Sequence, residues 1–167
     1  WNKLSLAPLW LKDRLLALIQ REKEHAKNGG EGRIVAKMNS LCDRDVIVAL
    51  YEASAAGVQI DLIVRGICCL KVGIPGVSEN IHVRSIVGNF LEHSRIFYFY
   101  NNGLEDVFCA SADWMPRNLE KRVEIMFPIE REELKEEVIH ILDIELKDNV
   151  KAHVLQPDDT YEKVDRR

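Results

Sequence analysis

The sequence predicts an α/β domain, a mixed β-sheet flanked by α-helices. Three observations carry this. Apolar residues recur at helical spacing near the start of the chain and again after Arg131. Between these stretches stand short runs rich in Val, Ile and Phe, bounded by Gly, Pro and Asn. Strands alternate with helices in the first half and a hairpin appears later, which implies both parallel and antiparallel neighbours in one sheet.

Taken in order, Pro8 stands where a helix can begin, and Leu11, Leu15, Leu18 and Ile19 share one helical face before Asn28-Gly29-Gly30 stops it. Arg33 to Met38 reads as a short strand. Asp43 caps a second helix that runs through Ala56 and ends at Gly57. Val58 to Val64 is largely apolar, like a strand covered on both faces. A loop from Gly66 to Asn80 follows, with Gly73-Ile74-Pro75-Gly76 as its clearest turn. Ile81 to Val87 is the next strand. Arg95 to Tyr100 and Asp106 to Ser111 form a hairpin through Asn101-Asn102-Gly103. Val123 to Pro128 adds a strand, and Arg131 to Lys147 has helical periodicity through Leu134, Val138, Ile141 and Leu142. Ala152 to Leu155 is the last strand of a domain spanning 1–156, and residues 157–167 read as a loosely held polar tail.

The chain has 167 residues, enough for one domain with a sizeable core. Without an initiator Met or a signal-peptide pattern, its start reads as a piece of a longer chain. No run approaches the roughly 18 apolar residues of a membrane span. Cys42, Cys68, Cys69 and Cys109 show no metal-ligand spacing and read as thiols in a reducing cytoplasm. The net charge of −4 is concentrated late: Val123 to Arg167 holds 7 Lys and Arg against 13 Asp and Glu. A nucleic-acid binder should be more basic, so no nucleic-acid partner is expected.

Four places offer chemistry. In Leu91-Glu92-His93-Ser94-Arg95, strand alternation puts His93 and Arg95 on one face, pairing a proton carrier with a guanidinium fork for phosphate oxygens. A hydrogen-bonded structural histidine is the plainer alternative. Leu62-Ile63-Val64-Arg65-Gly66 places Arg65 at the carboxyl edge of the sheet, where open α/β sheets bind ligands. Ser111, Asp113 and Arg117 share one loop with Asn118, a loop that turn chemistry alone would also explain. Lys37, Arg84 and Arg122 are further cations, each of a kind that is more often solvated. The acidic helix after Arg131 reads as a solvated face. The chain lacks a phosphate-cradling GxxxxGK[ST] loop and a GxGxxG pattern. From the residues alone the reading stops at an α/β domain with a local anion site.

A resemblance goes further. Lys37-Met38-Asn39-Ser40-Leu41, Ala53-Ser54-Ala55-Ala56-Gly57-Val58, Leu62 to Leu70, Ser78-Glu79-Asn80-Ile81, Ser85-Ile86-Val87-Gly88, Phe90 to Phe99 and Ser111 to Met115 follow one another as in the polyphosphate kinase family. Together they resemble its C-terminal catalytic half. The resemblance implies a phospholipase D-like fold and reversible transfer of the terminal phosphate of ATP to inorganic polyphosphate, with Mg²⁺. It implies a phospho-histidine in the preceding half, so that this half alone is inactive, and a homo-oligomeric, cytoplasmic or membrane-associated whole protein. His93-Ser94-Arg95 resembles the HxK signature of the phospholipase D superfamily with Arg for Lys, and Ala110-Ser111-Ala112-Asp113 its GSxN companion with Asp for Asn. By similarity His93 is a general acid/base, and Arg65 contacts the nucleotide phosphates along with His93 and Arg95. Lys37, Ser111, Asp113, Arg117 and Arg122 are secondary candidates. Asn89 stands where a basic residue is expected. The competing readings are a phospholipase D-like phosphodiesterase half and a non-catalytic module for anion binding or oligomerisation.

Overall fold

A computed structural model describes residues 5–6, 10–86, 95–111, 113–115, 119, 124–147 and 152–164. Within them the chain builds β1 (Ser5–Leu6), α1 (Leu11–Lys27), β2 (Arg33–Met38), α2 (Arg44–Ala55), β3 (Gln59–Val64), β4 (Ile81–Ile86), β5 (Arg95–Phe99), β6 (Asp106–Ala110), β7 (Ile125–Pro128), α3 (Glu132–Lys147), β8 (Ala152–Leu155) and β9 (Tyr161–Lys163). The described strands form one sheet in the order β1-β7-β6-β5-β2-β3-β4-β8-β9. β2, β3 and β4 are parallel, and every other pairing is antiparallel. The predicted mixed α/β sheet is therefore the observed one.

Local chemistry explains the boundaries. Asp43 caps α2 by accepting a hydrogen bond from the Val46 N–H at 3.0 Å, which satisfies a donor the helix start would otherwise leave open. Past α2, Gly57 takes a φ of 104°, a left-handed turn that glycine enters without a Cβ clash. The β5–β6 hairpin turns through Asn101, Asn102 and Gly103, all at positive φ. Buried Glu22 on α1 anchors this turn, accepting from the backbone N–H groups of Asn101 at 2.6 Å and Arg33 at 3.2 Å.

Strand alternation divides the core. Ile34, Ala36, Met38, Leu62 and Phe97 pack with α1 and α2 on one face. Val35, Ile63, Ile86 and Ile96 pack with Leu142 of α3 on the other. Covered on both faces, β2 and β3 carry the nearly continuous apolar runs that the sequence shows. Trp114, fully buried, rests against Phe97 with ring centroids 5.0 Å apart.

Three details depart from the sequence reading. Cys42 and Cys69 are joined as a disulfide with Cα atoms 5.0 Å apart, which leaves Cys68 and Cys109 as the thiols. The loops after β2 and β3 run side by side, with Leu41 N–H donating to Ile67 O at 2.8 Å and Cys69 N–H to Leu41 O at 2.9 Å. That alignment, between residues far apart in the chain, brings the two sulfurs together. In the segment read as a tail, Tyr161–Lys163 pairs antiparallel with β8 as an exposed edge strand. Finally, the acids of α3 are not all on a solvated face, because Glu145 is buried against Lys37 of the sheet. No helix among the described residues is long and apolar enough to cross a membrane.

Candidate functional site

The topology gathers the candidates at one edge of the sheet. β2, β3 and β4 are parallel and end there, β5 begins there, β6 returns there, and β7 starts there. Ile86 and Arg95, the described residues on either side of positions 87–94, both stand at this edge. His93, one of those positions, lies outside the described residues, as do Asn89, Arg117 and Arg122.

Arg65 is exposed and directly follows β3. Its backbone extends the parallel ladder, Arg65 N–H donating to Met38 O at 3.2 Å and Gly66 N–H to Asn39 O at 2.6 Å. A Cβ on Gly66 would stand 2.8 Å from the Asn39 carbonyl oxygen, so this close approach requires glycine. The guanidinium is thus carried at the carboxyl edge by two strands locked side by side.

The other cations are held differently from what the sequence suggests. Lys37, read as a solvated candidate, is 9% exposed, and its Nζ pairs with Glu145 Oε1 at 2.7 Å. Arg84 donates from Nη1 to the Glu145 carbonyl oxygen at 3.3 Å. Arg95 donates from Nε to Asp113 Oδ1 at 2.9 Å and from Nη2 to Asp113 Oδ2 at 3.4 Å. Asp113, 8% exposed, also accepts from the Asn39 backbone N–H at 2.8 Å. Ser111 donates to Glu124 and accepts from the Ile125 N–H at 2.9 Å, which stitches the β6 exit to the β7 entry.

Lys37, Arg95 and Ser111 reach one cavity of about 540 Å³ between the sheet and α3, whose walls include Ile96, Phe127 and Val138. Cys109 lines it too, and burial pushes its thiol pKa up. Arg65 lines a smaller neighbouring space with Lys37, Asn39 and Glu145. The structure therefore brings Lys37, Arg65, Arg95, Ser111 and Asp113 to one edge. The sequence reading missed Glu145, although its place three residues after Leu142 and seven after Val138 puts it on the apolar stripe of α3.

Magnesium, implied by the resemblance, finds no ligand set among the described residues. Among the described residues no group of three or more His, Cys, Asp or Glu side chains could hold a metal ion. The buried carboxylates at this edge, Asp113 and Glu145, already face Arg95 and Lys37.

The family described as polyphosphate kinase C-terminal domain 2 matches residues 4–167. A polyphosphate kinase of Synechocystis sp. is 59% identical over 161 residues, 96% of this chain and 22% of the relative. The crystal structure of polyphosphate kinase from Porphyromonas gingivalis matches with a TM-score of 0.92 and 46% identity, over 96% of this chain and 25% of that one. The phospholipase D family member Nuc from Salmonella typhimurium shares the fold, with a TM-score of 0.62 at 16% identity over 86% of this chain and 92% of that one. The chain spans about a quarter of the length of the polyphosphate kinases it matches. By sequence and by fold, it belongs to the polyphosphate kinase C-terminal domain 2 family.

Proposed function

We propose that this chain is one half of the catalytic core of an ATP:polyphosphate phosphotransferase, working with a preceding domain of the same protein. The supporting observation is Arg65, exposed at the carboxyl edge beside the ends of the segment that carries His93. In the proposed reaction a histidine of the preceding half attacks the γ-phosphorus of ATP. The bond from that phosphorus to the β,γ-bridging oxygen breaks as the N–P bond forms, and ADP leaves. A terminal oxygen of polyphosphate then attacks the same phosphorus, the N–P bond breaks, and the chain is one phosphate longer; the reverse sequence makes ATP. Arg65 offers a fixed fork to the phosphate oxygens, and His93 moves the proton that each half-reaction requires. In the complete protein the reaction uses Mg²⁺, for which the described residues of this chain offer no ligand set.

The test uses the full-length protein, with synthesis of polyphosphate from ATP as the readout. His93→Ala should lower kcat by about 100-fold or more. Arg65→Ala should weaken Mg-ATP binding in calorimetry. Near-normal turnover of the His93 variant removes it from the mechanism. Hydrolysis of phosphodiesters without polyphosphate synthesis would favour the phosphodiesterase reading. Saturable polyphosphate binding that survives both substitutions would favour the non-catalytic one.

A further inference from the structure

We propose that Arg95 and Asp113 form a fixed strut that holds the first residue of β5, two positions after His93 in the sequence, instead of acting as phosphate ligands; this rests on the reading above.

Asp113 is where three donors converge. Arg95 supplies Nε at 2.9 Å and Nη2 at 3.4 Å, and the backbone N–H of Asn39 supplies a third hydrogen bond at 2.8 Å. The carboxylate therefore ties together the exit of β2, the entry to β5 and the loop after β6. Its neighbour Trp114 extends the same stitching. Trp114 N–H donates to Ser40 O at 3.1 Å, while Trp114 O accepts from the N–H groups of Cys42 at 2.7 Å and Asp43 at 2.8 Å.

Charge argues against phosphate at this point. The Arg95 side chain is 20% exposed, and its guanidinium is matched by the carboxylate of Asp113, whose side chain is 11% exposed. A phosphate approaching Arg95 would meet a cation already neutralised, beside a like charge with little water to screen it. The two departures from the superfamily signatures, Arg for Lys and Asp for Asn, are the two ends of this contact. Each alone would leave a poorly solvated charge facing a neutral or mismatched partner, and together they close a fork-to-carboxylate pair.

The strut bears on catalysis through position. Arg95 is the first residue of β5, in register with Ala110, and His93 precedes it by two residues. An acid/base group must be held to within about 0.5 Å of its working geometry, so loosening the strut should lower kcat without changing substrate affinity. Arg95 and Asp113 are then positioning residues.

The experiment measures kcat, the KM values for ATP and polyphosphate, and Tm in the full-length protein. It compares Asp113→Asn, Arg95→Lys and their combination. Asp113→Asn keeps an oxygen acceptor for the Asn39 N–H, so that hydrogen bond survives. Each single change should lower kcat about 10-fold and leave both KM values within about 2-fold, and the double variant should lose about 10-fold less than the product of the singles. Tm losses should be non-additive in the same sense. A phosphate-binding Arg95 behaves otherwise: Arg95→Lys would raise KM, and Asp113→Asn would lower it by unmasking the guanidinium. Either result, or an unchanged kcat in Asp113→Asn, overturns the strut. If the unsubstituted protein transfers no phosphate to polyphosphate, the reading above fails separately. The Tm cycle then decides the strut, and additive losses overturn it.

Discussion

Glu145→Leu should be among the most damaging single changes on α3, although this helix looks like an acidic, water-facing one. Glu145 is 5% exposed, and its carboxylate faces the ammonium of Lys37, a residue 9% exposed, at 2.7 Å. Its second oxygen, Oε2, is buried without a hydrogen-bond partner, so the pair already carries some desolvation cost that nothing returns. Removing the carboxylate strips Lys37 of this counter-charge in a site walled by Ile63 and Ile86. Breaking a buried pair in this way costs about 3–5 kcal/mol. At roughly 2–4 °C per kcal/mol for a domain of this size, the lower figure corresponds to a fall in Tm of about 6–12 °C. Lys37→Met combined with Glu145→Leu replaces the pair with apolar volume and should return the domain to within about 1 kcal/mol of the starting stability. Urea denaturation of Glu145→Leu, Lys37→Met and the double variant measures the free-energy losses. A loss below about 1 kcal/mol in Glu145→Leu, or a double variant as unstable as the two singles summed, would refute the assignment of this pair as a desolvated one.

Two further outcomes are expected. Asp43→Ala removes the cap of α2, together with the ion pair to Lys12 at 3.2 Å, and should cost about 1 kcal/mol in urea melts. Tyr98 is held protonated in the folded state, its pKa raised first by burial and then by its hydrogen bond to Glu105 at 3.0 Å. The unfolded chain ionises this phenol near pH 10 while the folded one does not, so the contribution of Tyr98 is whole below about pH 10 and is lost as pH rises beyond it. Stability measured from pH 8 to 11 should fall less steeply in Tyr98→Phe, and an unchanged slope would count against that contribution.

Much of the fold was legible because its signals are local. The stripe of Leu11, Leu15, Leu18 and Ile19, the cap at Asp43, the positive-φ turn at Asn101-Asn102-Gly103 and the apolar run of β3 each depend on neighbours a few residues away. Their boundaries in the structure fall close to those expected from the sequence. The position of Arg65 was equally readable, because an apolar strand followed by Arg-Gly puts the cation at a carboxyl edge wherever the sheet lies.

What the sequence by itself determined, then, is the order of the elements from α1 to β8, the mixed sheet and the family. Tertiary structure decided which charges answer one another. Lys37 and Glu145 are 108 residues apart, and Arg95 and Asp113 are 18. Cys42 and Cys69, 27 residues apart, meet only because the loops after β2 and β3 run in parallel. Helix and strand periodicity depend on backbone geometry that repeats along the chain, whereas the partner of a buried charge depends on which elements the sheet places side by side. That juxtaposition sets Lys37 of β2 against Glu145 of α3, and Arg95 of β5 against Asp113 in the loop after β6.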